Sequence, residues 1–514
     1  MPKEPNLSNE AQRIIDALGS GDTSLALRLY ENAGGAMFPF LHGYAGLGSI
    51  LDKLPEEFWR QHESVLGGLI FHLTKRGQAG RAKSYFEAGD LEFERGPKFE
   101  LYGLLLALHL GDPVTPEALA KWRRLERQLP VAQPLLEGLY FNAMTVMHVR
   151  IEHTDEARVS AQQAISCFRE AGHSHLEHFI HIHLADLDLV EGRLRAARRE
   201  LAAAERSLAQ SGVRYGNETD LIEVIRLAID YEAGSFSHIP ERASALRASL
   251  VGGDSWAELF IQLARISALS VYFLNGRGAA LEELEFFQAD YARRHGGSAA
   301  ALDVIGALIE RLDWRLDESR DVLHAIANAP MQSTIGAAIR DELVNGMAHS
   351  EPASSQAPTP RAAIDLELQS AMRMTGKDRR RRIEKALWLA VREGHIAPFL
   401  EHRDVFLGVA SQLAKTRFAG RHRGIARMTK RVLRLDDQSF VIPEDLRALG
   451  FNFRQYRVAT ALQTGATSKQ IARQLGISEA TVKYHLTALY RIVGVGRRAE
   501  FIDFMLQFDD SAIY

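Results

Sequence analysis

The chain has 514 residues, far more than one compact core needs, so two or more cooperative units or one long repeat array are expected. Its 46% hydrophobic and 25% charged content is ordinary for a chain that folds by burial alone, and its one cysteine, Cys167, excludes an internal disulfide and any cysteine-clustered metal or iron–sulfur site within one chain, a usage that fits a reducing cytosol. The formal net charge of −3 conceals an asymmetry: residues 377–514 hold 25 Lys and Arg against 14 Asp and Glu, while residues 1–376 hold 37 against 51. The C-terminal part is therefore the candidate for binding a polyanion.

The opening stretch, Met1 to Asp16, lacks a basic start followed by an apolar core, and the most apolar run, Leu101 to Leu110, is short of the ~20 residues that span a bilayer, so neither export nor membrane insertion is expected. From Asn9 to about Leu343 the pattern is a succession of Ala/Leu-rich helices broken by Gly, Asp or Pro, without alternating β-branched runs; an all-α region is predicted. Several breaks place a small residue five positions after a helix-ending glycine: Gly21/Ala26, Gly77/Ala82 and Gly192/Ala197, with weaker echoes at Gly276/Leu281 and Trp314/Ser319. Glycine supplies the left-handed conformation that stops one helix, and alanine lets the next approach closely. The clearest unit, His181 to Leu201, resembles a tetratricopeptide-type hairpin, and stacked hairpins give a solenoid whose inner groove is the candidate ligand or partner surface. An irregular bundle would give a similar pattern; the repeat reading is preferred.

Residues 1–345 are thus read as a tetratricopeptide-like helical-repeat region. The Ser/Pro-rich stretch Ser350 to Pro360 has too little apolar content to pack, which makes 346–362 a flexible linker or insertion. Residues 363–440 are read as a basic helical region continuing the repeats: Lys377 to Arg434 carries 16 Lys and Arg against five acids, including the run Arg379 to Arg382. That run either touches a polyanion or solvates a helix face, and the second is favoured.

Residues 441–514 carry the most specific signal. Asn452 with Gln455, and Thr467 with Gln470, have capping-box spacing; Gly465 ends a helix, Gly476 supplies a turn, and Ser478 caps the next helix with Glu479 at its positive end. Ile471, Ala472, Leu475 and Ile477 are expected to pack against Val482, Leu486, Leu489 and Val493. At 100° per residue, Ala480, Tyr484, Thr487 and Arg491 then face outward with Lys483 and His485 on the shoulders, a face suited to a DNA major groove. Thr467, Ser468 and Lys469 on the preceding helix, and Thr481 on this one, offer hydroxyls, amides and charge to phosphates.

With Lys469 to Leu475 and Ser478 to His485 as its clearest parts, this segment resembles the LuxR-type helix-turn-helix over about 55 residues. The resemblance implies a sequence-specific, bacterial, cytoplasmic transcription regulator acting on double-stranded DNA. It implies base reading at the positions of Lys483, Tyr484 and Thr487, and a homodimer on DNA joined through the last helix, about Arg498 to Gln507. RNA polymerase is a candidate further partner. The chain departs from the family pattern at Phe453, Gln455, Ile492 and Arg497. Upstream, Leu18 to Leu27, Leu54 to Glu57, Ala386 to Ala390 and Phe399-Leu400 resemble the repeat part of large MalT-like activators, which carry an ATPase module before the repeats. This chain contains no Gly-x-x-x-x-Gly-Lys-Ser/Thr loop, so no nucleotide cofactor is expected.

His173, His175, His178, His181 and His183 form the one cluster with metal-like spacing, but no His-Glu-x-x-His arrangement or cysteine accompanies it, so it is read as the polar face of a repeat helix and no metal is assigned. No nucleophile elbow, dinucleotide loop or kinase signature occurs; the chain is not expected to be an enzyme. The alternative function is a repeat scaffold for a protein partner that uses its C-terminal helices only to dimerise.

Overall fold

The computed structural model describes residues 8–506 except 45, 56, 111–113, 131, 152, 212–217, 253–256, 296–298, 314–315, 330–333, 349–358, 404, 407–408, 410–412, 414–421, 439–445, 447–448, 452 and 476. Among these residues the regular structure is helical and no strand occurs, in agreement with the all-α expectation. The core of the predicted linker, 349–358, and Trp314 lie outside the described residues.

The array is built from two kinds of helix with different physical demands. One kind forms a continuous row: Glu63–Lys75, Pro97–Leu110, Pro134–Arg150, Ser174–Val190, Glu218–Glu232, Ala257–Asn275, Ala300–Leu312 and Thr334–Ala348, each packed on the next member of the row as well as on the helix between them in sequence. Sandwiched on several sides, these helices are apolar over most of their circumference; in Ala257–Asn275 every residue from Ala257 to Phe273 is buried. The other kind lines one side of the row and needs only one apolar stripe. Leu194–Ser211 supplies Leu194, Ala197, Leu201, Ala204 and Leu208 at three- and four-residue steps, with Arg and Glu covering its outer face. This alternation is the hairpin stack of a solenoid.

The small residues of the repeat spacing sit where helices meet. Ala26, Ala82 and Ala197 are fully buried, and Gly21, Gly77 and Gly192 adopt positive φ at the preceding breaks. Gly276 also has positive φ, and Ser319 is buried with its hydroxyl donating to Ala307 O at 2.8 Å. Gly192 carries a second constraint: a Cβ there would lie 2.6 Å from the backbone nitrogen of Arg361, so a distant part of the chain crosses directly over this turn.

The crossing defines how the segment after the linker is placed. The helix Pro360–Met372 starts with Thr359 as cap and proline in its first turn, and packs with Gly376–Glu393 and Ala397–Glu401, both of which pack against Arg423–Gln438. These helices were expected to continue the repeats. They meet the middle of the row, Ala397–Glu401 at Glu218–Glu232 and Arg423–Gln438 at Ala257–Asn275. The physical reason is a buried ionic network that joins the two. Arg361 Nη1 donates to Glu232 Oε2 at 2.7 Å and Nη2 donates to Glu401 Oε2. Arg265 reaches Glu232 at 3.1 Å and Glu401 at 3.2 Å, Tyr231 OH donates to Glu401 at 2.7 Å, and His395 Nδ1 lies 3.1 Å from Glu232 Oε2. Backbone bonds seal the junction: Arg361 N to Glu191 O at 3.2 Å and Ile396 N to Glu232 O at 2.7 Å.

The basic run is also tied internally. Arg379 donates to Val405 O at 3.1 Å, Arg380 pairs with Glu384 at 3.0 Å, and Arg382 and Lys385 both pair with Glu367, at 3.1 Å and 2.5 Å. Among the described residues one helix, Ala257–Asn275, is long and apolar enough to cross a membrane, with a mean hydropathy of 1.4, a longer apolar stretch than Leu101 to Leu110, but 94% of it is buried inside the protein.

Candidate nucleic-acid interface

The C-terminal segment has its own hydrophobic cluster, separate from that of the array. Four helices enclose it: Phe453–Gln463, Ser468–Leu475, Glu479–Val493 and Arg498–Leu506. The local chemistry writes these boundaries. Thr467 and Gln470 form a reciprocal capping box, with Thr467 N donating to Gln470 Oε1 at 2.7 Å and Gln470 N donating to Thr467 Oγ1 at 3.3 Å. Ser478 Oγ accepts from Thr481 N at 3.0 Å, and Gly494, with φ of 79°, ends that helix. Glu500 Oε2 accepts from Gly496 N at 3.0 Å and Arg497 N at 3.1 Å, which starts the last helix. The Asn452 cap, the Gly476 turn and residues 507–508 lie outside the described residues.

Replacing Ser478 by alanine is expected to cost about 1 kcal/mol of helix stability, because the Thr481 amide at the helix start loses its side-chain acceptor. Urea unfolding of the C-terminal domain, followed alongside Ser478→Asp, checks it; an alanine variant as stable as the parent would show the cap contributes nothing.

The expected core is present. Ile471, Ala472, Leu475, Val482, Leu486 and Leu489 are buried together with Val458, Leu462, Phe501 and Met505, while Ile477 and Val493 pack at its margin. The opposite face of Glu479–Val493 is open: Ala480, Lys483, Thr487 and Arg491 are exposed, and Tyr484 is 71% exposed, high for so large a ring. Thr487 Oγ1 donates to Lys483 O at 2.9 Å. Lys483 Nζ lies 2.8 Å from Glu479 Oε1 one turn back, and this hydrogen bond, then the lysine charge, holds the Glu479 carboxyl below its ordinary range. The pair was not singled out from the sequence, although its i,i+4 spacing signals it.

His485 and Thr481 do not share the open face fully. Both are half-buried; the His485 ring sits edge-on to Tyr484 with centroids 5.6 Å apart, and the Thr481 hydroxyl is 2.7 Å from Ser478 Oγ. On the preceding helix Lys469 is exposed, Ser468 is half-buried and the Thr467 hydroxyl is already engaged in its cap. Between Gly465 and Arg491 the sequence holds one acid, Glu479, against Lys469, Arg473, Lys483 and Arg491, so the exposed surface of these two helices is cationic. Arg498 Nη2 donates to Ala466 O at 2.6 Å and so fastens the last helix to the loop before the second, a contact that no sequence spacing indicated.

The histidine cluster resolves into separate roles. His173 Nε2 lies 2.5 Å from Phe40 O, His175 Nε2 is 3.2 Å from Glu218 Oε1, His178 Nδ1 is 3.0 Å from Ala204 O, and His181 Nδ1 is 2.7 Å from Glu200 Oε2. Burial, reinforced by neighbouring cations, pushes His175 and His183 down to about 3, so both rings are neutral near pH 7. Among the described residues no group of three or more His, Cys, Asp or Glu is arranged to hold a metal ion.

Residues 452–505 match the GerE family model, described as bacterial regulatory proteins of the luxR family. No curated protein matches the chain. The match covers the four C-terminal helices and identifies them as a LuxR-type helix-turn-helix domain; it does not extend to the array.

Proposed function

We propose that the chain is a sequence-specific transcription regulator in which Glu479–Val493 enters the major groove of double-stranded DNA and the helical array receives an effector or a protein partner. The observation that carries this reading is the division of one helix into two faces: Val482, Leu486 and Leu489 are locked in a core, while Lys483, Tyr484, Thr487 and Arg491 stand in solvent. Lys483 and Arg491 offer charge-assisted donors to guanine or phosphate, and Tyr484 and Thr487 offer a ring, a methyl and hydroxyls to base edges. Lys469, Thr467, Ser468 and Thr481 lie at the two helix N-termini, where amide groups and the helix dipole favour phosphate; these residues position the domain while the open face reads sequence. His485 supports Tyr484 from the shoulder. A homodimer joined through Arg498–Leu506 would place two such helices on successive groove faces, and a cytoplasmic location with access to RNA polymerase follows from the same reading.

Replacing Lys483 by alanine is expected to weaken binding to a selected duplex by about 1–3 kcal/mol and to relax discrimination at one base pair. Fluorescence anisotropy with the full chain measures it. A variant that keeps both the parent's affinity for the cognate duplex and its discrimination against a scrambled one would remove Lys483 from the reading surface.

A further inference from the structure

The helix Arg423–Gln438 is divided into a buried side and a cationic one. Ile425, Met428, Thr429 and Val432 are buried where it packs against Gly376–Glu393, Ala397–Glu401 and Ala257–Asn275. At 100° per residue, Arg423, Arg427, Lys430 and Arg434 fall within a sector of about 60° on the opposite side, and all four are exposed. From Arg423 to Leu435 the sequence holds no acid. Arg431 stands at the edge of the stripe and reaches back to the array, its guanidinium 3.3 Å from Ser235 Oγ.

These four cations differ from the others of the region. Arg379, Arg380, Arg382 and Lys385 are each bonded to a carbonyl or carboxylate oxygen of the protein. Arg423, Arg427, Lys430 and Arg434 have neither an ion pair nor a hydrogen bond from their side chains among the described residues. Like charges three and four positions apart repel one another on a helix surface, so the stripe weakens its own helix unless an anion covers it. Its length sets the scale of that anion. Eleven positions from Arg423 to Arg434 spread the charges over about 16 Å, so a lone phosphate or carboxylate covers one end of the stripe. A duplex, with a phosphate for every ~1.7 Å of its axis, covers all of it.

We infer that the outer face of Arg423–Gln438 is a second contact to double-stranded DNA, gripping phosphates without reading bases, beside the site read by Glu479–Val493. The inference rests on the reading of the chain as a DNA-binding regulator. Arg434 and Phe453, where the first helix of the C-terminal domain begins, are 19 positions apart, a reach of at most roughly 65 Å, so one duplex can touch both. That tether makes the second contact an intramolecular step once the first is formed. Because Arg423–Gln438 is rooted in the core of the array, the array itself then holds DNA. Trp388 is a local reporter: it is 55% exposed, and its ring lies edge-on to that of His422, immediately before the stripe, with centroids 5.0 Å apart.

The probes are a short duplex holding only a sequence selected from a random pool by the full chain, the same duplex with two helical turns of unrelated sequence on each side, and scrambled versions of both. The parent is expected to bind the extended duplexes about tenfold more tightly than the short ones, with a slope of log affinity against log salt steeper by about 2–4. Replacing Arg423, Arg427, Lys430 and Arg434 together by glutamine is expected to remove the gain and the added slope while preference for the selected sequence persists; lysine at the three arginine positions is expected to keep both. The fluorescence of Trp388, identified by its loss in Trp388→Phe, is expected to change with extended duplexes and not with short ones. A folded glutamine variant with the parent's gain and slope overturns the inference, as does a lysine variant that loses them. If the fourfold variant does not fold, Arg427→Gln with Lys430→Gln takes its place, with about half the loss of slope. Specific binding by the parent without a gain from flanking sequence or a Trp388 response removes this contact and leaves the regulator. Salt-dependent binding of extended duplexes that no sequence improves, lost in the glutamine variant, keeps the contact and removes the sequence-specific regulator, and a parent that binds no duplex removes both.

Discussion

Replacing Leu489 by alanine is expected to abolish DNA binding while leaving the array folded. Leu489 is fully buried in the C-terminal cluster, which it shares with Val458 and Leu462 of the first helix and Phe501 of the last. Truncating such a leucine costs about 2–5 kcal/mol, the sum of lost transfer free energy and the cavity left behind. A single core in a domain of under ~80 residues rarely supplies more than about 3–5 kcal/mol, so the loss consumes most or all of its stability. The array has a separate and much larger core and does not share the penalty. Differential scanning calorimetry checks this: the array transition stays in place, the C-terminal transition disappears or falls below the assay temperature, and duplex binding is lost. A variant that retains its C-terminal transition and its affinity would mean that the recognition helix is held by something other than this core.

The second large effect concerns the junction between the array and the helices after the linker. Arg361→Met is expected to cost about 3–5 kcal/mol at neutral pH, because it leaves the buried carboxylates of Glu232 and Glu401 with Arg265 as their main compensating cation. Burial alone would raise the Glu232 carboxyl; the Arg361 charge, the His395 hydrogen bond and the Arg265 charge outweigh it and hold the group well below the ordinary carboxylate range. The sign of the pH dependence follows. A carboxyl whose folded pKa lies below its unfolded value stabilises the protein above the unfolded pKa, and that contribution is lost as pH falls through the folded one. The variant lacks most of this contribution already, so its deficit relative to the parent is largest near pH 7 and shrinks as the solution is acidified below about pH 4.5. Hydrogen exchange at residues 360–401 reads the junction locally. A deficit that stays constant with pH would show that Arg361 acts through packing and not through charge.

The legible parts of this molecule are those whose partners are near in sequence. Thr467 finds Gln470 three residues on, Ser478 finds Thr481, and the alternation of Val482, Leu486 and Leu489 with Lys483, Tyr484, Thr487 and Arg491 is written into a single helical turn count. The hairpin spacing of Gly192 and Ala197 is equally local. What escaped is long-range. Arg361 meets Glu232 across 129 positions and His395 meets the same carboxylate across 163, and no periodicity announces which buried charge will pair with which. The helices of 363–440 were recognisable in the sequence, but their contact with the middle of the row is specified by side chains scattered over four elements. The histidines illustrate the complementary case. Their three-residue steps suggested a shared face, yet each ring answers to a different neighbour brought in by the fold. His485, expected on the shoulder of the open face, and Thr481, assigned to phosphate contact, are both half-buried.

The central claim, that the open face of Glu479–Val493 reads DNA, is tested most directly by selecting duplexes from a random pool with the full chain and measuring affinity for the winning sequence over a range of salt concentrations. A specific duplex is expected to emerge, with affinity falling steeply as salt rises and with Lys483→Ala and Tyr484→Ala both weakening the specific complex more than the non-specific one. No enrichment of any sequence, or binding that ignores both salt and these two substitutions, would contradict it.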